Sequence, residues 1–416
     1  MNDAVLLFYC AIGLCFLMTI GVGANDLANV MSTAMGSKAI TVKQGIIIAI
    51  IFELAGAFWG GSGVTETMRS GIINTQQLSN QPIIFITGMI SVLLSCTIWM
   101  NLTSYFGVPV SITNALVGAM VGFGYTVLGS AAIHWTHVYS IAISWITSPL
   151  ISGTFAYLLF ISIQQSIFVK PDLLTRAQLY TPIYLFIIGI ILSFITVFKG
   201  LNHYHILLNL KQIFAVILST SILITIIGLY IIKKIPEITN ANRRERFMQV
   251  ERYFAVLMSF TTCAMIFAHG SNDVALAVGP LSIIYNFVYN PEHPLNTHAY
   301  PSWIILLGCT GVLLGFLIYG RRVIATVGSS ITVLTPSRAF AATFAAATTV
   351  VIATSAGIPV SATQTLVGAV LGVGLARGIG ALNLVVIRNI FTSWMFTLPS
   401  VSIMTIIIYK LLRMIL

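Results

Sequence analysis

The sequence predicts an all-α integral membrane protein, with about 12 transmembrane helices in two inverted repeats that contain broken helices or re-entrant hairpins. Three observations carry this expectation. Of 416 residues, 57% are hydrophobic and 7% charged, with a mean hydropathy of +0.98, which excludes a water-soluble fold. Apolar stretches of about 20 residues recur along the whole length, each long enough to cross a hydrocarbon core roughly 30 Å thick. A long motif of the first half returns in the second.

In chain order the spans fall at 4–34, 44–60, 82–104, 108–130, 138–163, 181–199, 206–232, 253–285, 301–320, 339–356, 358–376 and 383–412. Met1-Asn2-Asp3 lacks the positive start of a secretory signal, so the first stretch is read as a retained span. The connector after the seventh span carries Lys233, Lys234, Arg243, Arg244, Arg246 and Arg252, which marks it as cytoplasmic. Counting crossings from there puts Lys38, Lys43, Lys170, Arg176, Arg321, Arg322, Arg338, Arg377 and Arg388 inside as well. Arg69, Lys199, Lys211, Lys410 and Arg413 then lie outside. Fifteen basic residues against five support the count, and both termini face outward. The pairs 82–130 and 339–376 suit re-entrant hairpins equally well without changing this parity. The formal charge of +10 is explained by the same bias and is not a nucleic-acid signal. Cys10, Cys15, Cys96, Cys263 and Cys309 all sit in apolar segments without metal-like or disulfide-like spacing.

The repeat is explicit. Gly107-Val-Pro-Val-Ser-Ile-Thr-Asn-Ala-Leu-Val-Gly-Ala-Met-Val-Gly-Phe-Gly124 returns as Gly357-Ile-Pro-Val-Ser-Ala-Thr-Gln-Thr-Leu-Val-Gly-Ala-Val-Leu-Gly-Val-Gly374, an offset of 250. Asn25-Asp26 returns as Asn272-Asp273 at 247, and Ser144-Trp145 as Ser393-Trp394 at 249. Residues 1–165 and 250–416 are thus the expected repeats, joined by a two-span connector over 166–249. Five spans plus two is odd, so the second copy enters the membrane from the opposite side, as in many alternating-access transporters. A duplicated scaffold, as in some channels, is the plainer alternative.

An ionisable group at the bilayer centre costs roughly 2.5–3.5 kcal/mol at least and needs a partner or a purpose. Asp26, Glu53 and Asp273 are the acids so placed. Two of them are repeat equivalents, in Gly21-Val-Gly-Ala-Asn-Asp26 and His269-Gly-Ser-Asn-Asp273, where glycine beside Asn-Asp predicts an unwound helix. Carboxylate, amide oxygen and freed carbonyls make a hard, oxygen-rich site suited to Na⁺ or a transferable proton. The alternative is that each Asp caps a half-helix. Glu53 has Val312 at its aligned position and is divided evenly between an ion or proton role and a helix–helix hydrogen bond. His269 is divided in the same way between tuning a cation site and capping a break.

Pro109-Val-Ser111-Ile-Thr113-Asn114 and Pro359-Val-Ser361-Ala-Thr363-Gln364 each read as a proline opening a helix, with hydroxyls and amides in its first turn. A helix N-terminus attracts anions through its free N–H groups and dipole. Two such ends approaching from opposite sides could enclose a tetrahedral oxyanion between Ser111, Thr113, Asn114, Ser361, Thr363 and Gln364; ordinary N-capping is the alternative. The Leu-Val-Gly-Ala-x-x-Gly-x-Gly runs at 116–124 and 366–374 are expected to pack helices closely. His134, His137, His203, His205, His293 and His298 fall at membrane edges. The nucleotide-binding and hydrolase signatures are absent from the sequence, which leaves neither an ATP-driven pump nor an enzyme as the expectation.

These residues resemble the inorganic phosphate transporter (PiT) family of sodium- or proton-coupled phosphate symporters. The likeness runs through Gly23-Ala-Asn-Asp-Leu-Ala-Asn29, Phe267-Ala-His-Gly-Ser-Asn-Asp-Val-Ala-Leu-Ala-Val-Gly-Pro280, both Pro-Val-Ser motifs, and Gly320-Arg-Arg-Val-Ile324 with Leu334-Thr-Pro-Ser-Arg338. The resemblance implies an inverted-repeat symporter whose phosphate lies near midplane between the two Pro-Val-Ser-x-Thr turns, with Asp26 and Asp273 as cation-linked acids. It adds Asn25, Asn29 and Asn272 to the cation set, and Glu66 beside Glu53 and His269 as candidates for coupling. The chain departs from the family pattern at Leu276, where Asn is usual, at Ala325, where Glu is usual, and at Asn114 and Gln364, where His is common. No cofactor is expected beyond Na⁺ or H⁺ as coupling ion. The expected partners are inorganic phosphate and membrane lipid, with no nucleic acid, and a homodimer stays open beside a monomer. The expected location is the plasma membrane, the inner one in a Gram-negative cell. A sulfate symporter on the same scaffold, a passive anion channel and a non-transporting sensor are the competing readings.

Overall fold

In the computed structural model, residues 2–60, 71–73, 78, 81–195, 197, 209–236, 242–291, 301–355 and 360–415 are described. Glu66, Arg69, Lys199, His203, His205, His293, His298 and Pro359 lie outside them, as do parts of the expected spans 181–199 and 206–232. Helices occupy nearly all of the described residues, with one isolated antiparallel bridge between Ile73 and Ile133 and no named strand. Among the described residues, ten helical segments are long and apolar enough to cross a membrane, and Ile112–Leu128 and Ala362–Ala376 are two shorter apolar helices. The protein is a multi-pass membrane protein.

The chain begins with α1 (Asn2–Val22), a π-helical turn (Gly23–Leu27) and α2 (Ala28–Gly36). There follow α3 (Val42–Gly60), α4 (Pro82–Phe106), α5 (Ile112–Leu128), a 3₁₀ turn (Ser130–Ala132) and α6 (Trp135–Ile163). After a second π turn at Gln164–Phe168 come α7 (Leu173–Ile195) and α8 (Leu210–Lys233), which pack on each other. The opening pattern then recurs: α9 (Arg243–His269), a π turn (Gly270–Val274), α10 (Ala275–Tyr289), α11 (Ser302–Tyr319) and α12 (Arg321–Ala325) with its own π turn at Thr326–Ser330. It continues through α13 (Pro336–Ser355), α14 (Ala362–Ala376), a 3₁₀ turn (Ile379–Ala381) and α15 (Leu384–Ile415).

The recurrence extends to single hydrogen bonds. His134 N–H donates to Ile72 O at 3.0 Å after one 3₁₀ turn, and Asn383 N–H donates to Ile331 O at 3.0 Å after the other. Pro149 inside α6 and Pro399 inside α15 stand at equivalent places.

The helix through each Asn-Asp motif differs from the unwound segment the sequence suggests. Neither Gly23 nor Gly270 has a positive φ, and each segment widens into a continuous π turn. The glycines serve close approach instead of dihedral freedom. A Cβ on Gly23 would strike the carbonyl of Val312 on α11, and one on Gly270 would strike the carbonyl of Glu53 on α3. The reverse contacts match: Gly315 faces Ile20 O, and Gly56 faces Phe267 O. These four reciprocal contacts make Val312 the spatial counterpart of Glu53, as the alignment expects.

The Leu-Val-Gly-Ala runs pack closely, as their small residues predict. Gly118 and Gly122 of α5 lie against the backbone of Leu398 and Ser402 on α15, while Gly368 and Gly372 of α14 lie against Pro149 and Gly153 on α6. Each short helix is therefore held by the last helix of the other half.

Candidate functional site

Helix α4 ends in a Schellman motif that turns the chain towards α5. Gly107 takes φ 68°, its N–H donates to Ser104 O at 3.0 Å, and Val108 N–H donates to Thr103 O at 3.0 Å. Asn25 seizes this turn from the π segment. Its amide nitrogen donates to Val108 O at 3.0 Å and faces the Thr103 and Ser104 hydroxyls at 3.4 and 3.3 Å, and Val110 N–H donates to its Oδ1 at 2.9 Å. Both ends of the Asn25 side chain are thus committed to the 103–110 segment.

Asp26, the next residue, bridges the starts of the two short helices. Its Oδ2 accepts from Ile112 N–H, the first residue of α5, at 3.2 Å, and its Oδ1 accepts from the Thr363 hydroxyl in the first turn of α14. Asn29, one turn on, donates to Thr363 O at 3.4 Å. The helix ends that carry Ser111 and Ser361 therefore meet at one carboxylate. Pro109 does not open α5 as expected. Ser111 is the N-cap, with extended backbone and no side-chain cap bond, and Pro109 lies in the preceding turn, where its carbonyl accepts from Trp394 Nε1 at 3.1 Å. Ser361 is the N-cap of α14, and its hydroxyl accepts from Gln364 N–H at 3.1 Å.

Asp273 sits in the equivalent π turn and accepts from Asn272 Nδ2 at 2.9 Å. His269 lies between Asp273 and Glu53. Its Nδ1 is 2.7 Å from Glu53 Oε1, and its Nε2 is 3.3 Å from Asp273 Oδ2, close enough for an ion pair but not aligned as a hydrogen bond. Asp26, Glu53, His269 and Asp273 are all buried and within electrostatic range as one group. Among the described residues no Lys or Arg is buried, so no fixed cation offsets the three acids. Nor does a cluster of three or more His, Cys, Asp or Glu with metal-binding arrangement occur among them.

Several candidate side chains keep polar atoms that are buried and unpartnered: Asn29 Oδ1, Thr113 Oγ1, both polar atoms of the Asn114 amide, and Gln364 Oε1. Each such atom costs about 1–3 kcal/mol when left unsatisfied. Four of the five occupy the first turns of α5 and α14, where helix dipole and polar groups favour an anion. Glu53 Oε2 is orphaned as well. Of the exposed-edge histidines within the described residues, His137 is exposed and His134 half-buried, both at the start of α6.

Sequence reading did not single out Thr103, Ser104 and Trp394, which brace the 107–111 turn, nor the 2.8 Å contact between the hydroxyls of Thr33 on α2 and Thr343 on α13. The recurrence of Ser144-Trp145 at Ser393-Trp394 was the available signal for Trp394.

Residues 22–405 match the model of the phosphate transporter family. The chain belongs to that family. The phosphate transporter family member described here is 45% identical over 401 residues to a protein named as a phosphate permease in Haemophilus influenzae, covering 96% of this chain and 94% of that one. It is 33% identical to the chloroplastic inorganic phosphate transporter 2-1 of Arabidopsis thaliana, over 95% of this chain and 70% of the plant protein. A solved structure titled "The sodium-dependent phosphate transporter" superposes with a TM-score of 0.89 at 33% identity, covering 99% of this chain and all of that one. The family is one of transporters and not of enzymes, and phosphate is its substrate.

Proposed function

We propose that the chain is a cation-coupled inorganic phosphate symporter working by alternating access, with phosphate held near midplane between the starts of α5 and α14. The observation that carries this reading is the bridge made by Asp26, whose carboxylate occupies the two helix ends an oxyanion would use. A negative Asp26 repels phosphate from that place. A proton or Na⁺ on Asp26 removes the repulsion, so anion entry and cation entry are linked by charge. Ser111, Thr113, Asn114, Ser361, Thr363 and Gln364 are assigned to phosphate; the orphaned Thr113 hydroxyl and Asn114 Nδ2 are donors for its oxygens, while the orphaned Asn114 Oδ1 and Gln364 Oε1 accept only and suit a protonated phosphate oxygen or the accompanying cation.

The cation is assigned to Asp26 and Asn29 in one half and to Asn272 and Asp273 in the other, with Asn25 holding the 107–111 turn in place. Glu53, His269 and Glu66 are the candidates for coupling. Na⁺ is favoured as coupling ion by the sodium-dependent structural relative. Residues 1–165 and 250–416 are assigned as repeats of inverted orientation, with 166–249 as connector, a division supported by the recurring element order. The location is the plasma membrane, inner in a Gram-negative cell, with both termini outside.

The test is ³²P-phosphate uptake into proteoliposomes under an inward Na⁺ gradient, a proton gradient or neither. Accumulation above equilibrium under one gradient names the ion. Equilibration without any gradient dependence would make the protein a channel, and a flux of sulfate instead of phosphate would reassign the substrate.

A further inference from the structure

Helices α6, α14 and α15 enclose a cavity of about 700 Å³, within the size range of pockets that hold small organic molecules. Its α6 wall runs from Ala142 to Tyr157, roughly 22 Å at 1.5 Å per residue. No charged side chain lines it. Three lining residues, Ile146, Leu150 and Met395, are 72%, 67% and 78% exposed on membrane-spanning helices, so the cavity opens to lipid and not to water. Trp145 lies ten residues beyond Trp135, the first residue of α6, or about 15 Å along a hydrocarbon core roughly 30 Å thick. That depth is near midplane, below the lipid headgroups.

The wall is mostly apolar, but two of its polar atoms are buried without a partner: Trp145 Nε1, a donor, and Gln364 Oε1, an acceptor. Gln364 is 1% exposed. Neighbouring polar groups are committed. Thr154 donates its hydroxyl to Leu150 O at 2.8 Å, and Trp394, the repeat equivalent of Trp145, donates to Pro109 O. An acyl chain alone would fill the space and leave both orphans unsatisfied. A phospholipid headgroup would find neither a countercharge nor its own depth. A hydroxyl both donates and accepts, so it suits either atom.

We propose that this cavity binds an uncharged, single-chain membrane amphiphile bearing a hydroxyl, of the class of long-chain alcohols, which enters from the bilayer and hydrogen-bonds Trp145 and Gln364. Because Gln364 belongs to the first turn of α14, the occupant also hinders phosphate. That hindrance rests on the phosphate assignment made above; the site itself does not.

The experiment is photolabelling of the full chain in proteoliposomes with a diazirine-bearing long-chain alcohol, against the diazirine alkane of the same length, mapped by peptide mass spectrometry. Wild type is expected to be labelled saturably at 142–157 and 391–395, by the alcohol at roughly fivefold to tenfold lower concentration, as one neutral hydrogen bond would give. Trp145→Phe and Gln364→Leu each bring the alcohol towards the alkane, and Ala142→Trp, which fills the cavity, removes saturable labelling by both. The unlabelled alcohol raises the half-saturation for ³²P-phosphate severalfold in wild type and not in Ala142→Trp. Equal or unsaturable labelling by the two probes overturns the proposal. So does unchanged discrimination in a folded Trp145→Phe/Gln364→Leu double variant, or cross-linking of 142–157 to a second copy of the chain in place of the probe. Saturable labelling without any effect on uptake upholds the site and overturns the hindrance, taking Gln364 out of the phosphate set. Labelling needs no phosphate flux, so failure of the symport reading shows separately.

Discussion

His269 and Glu53, 2.7 Å apart from Nδ1 to Oε1, stand where the other half of the molecule has Val22 and Val312. One junction between a π turn and its neighbouring helix is therefore ionisable, and its counterpart is two aliphatic side chains. Breaking such a buried pair from one side costs about 3–5 kcal/mol, whereas replacing both partners by apolar groups can be nearly neutral. Glu53→Val and His269→Val should each lower the thermal midpoint of the purified protein, and the double variant should recover most of the loss. Phosphate uptake should nevertheless stay low in the double variant. Wild-type uptake there would reduce the pair to a structural strut.

Asp26→Asn keeps an oxygen for Thr363 or Ile112 but loses the charge. The variant should fold, and its gradient-driven phosphate uptake should fall by roughly tenfold or more, because a neutral amide no longer ties phosphate entry to the charge of a cation, a coupling typically worth about 1–3 kcal/mol. The measurement is initial ³²P uptake with and without a cation gradient. Retained gradient-driven accumulation would remove Asp26 from the coupling role.

The orphaned amides separate folding from transport. Asn114→Leu and Gln364→Leu delete buried atoms that have no partner, so stability should hold or rise by up to about 1–3 kcal/mol. Half-saturation for phosphate should rise at least severalfold in the same variants. A stability loss with unchanged affinity would mean that these amides serve packing alone.

Gly372→Ala would drive a methyl into the backbone of Gly153, and Gly122→Ala one into that of Ser402. Each should destabilise by about 1–3 kcal/mol through overpacking. Gly13→Ala, with nothing within 4 Å of the added carbon, is the matched control and should leave the thermal midpoint unchanged.

The sequence carried the architecture because duplication writes itself as an offset: the motifs at 107 and 357, and at 25 and 272, needed no tertiary information. It also marked Asp26, Glu53 and Asp273, since an acid in an apolar stretch stands out. What it could not carry was pairing across long separations. His269 and Glu53 are 216 residues apart, and Asn25 reaches a turn more than 80 residues downstream. The π turns were illegible for a related reason. Gly-Ala-Asn-Asp and Gly-Ser-Asn-Asp suit an unwound segment as well as a widened one, and only the close approach of α11 and α3 decides between them.

The crossed grip of the short helices has a consequence for how such a molecule is made. Because α5 is walled by α15 and α14 by α6, neither half encloses its own short helix; each completes its interior with an arm lent by the other. That is the geometry of an exchanged-arm dimer fused into one polypeptide. The ribosome therefore delivers the first half with an open flank, and this flank closes only when the final helix, Leu384–Ile415, enters the membrane.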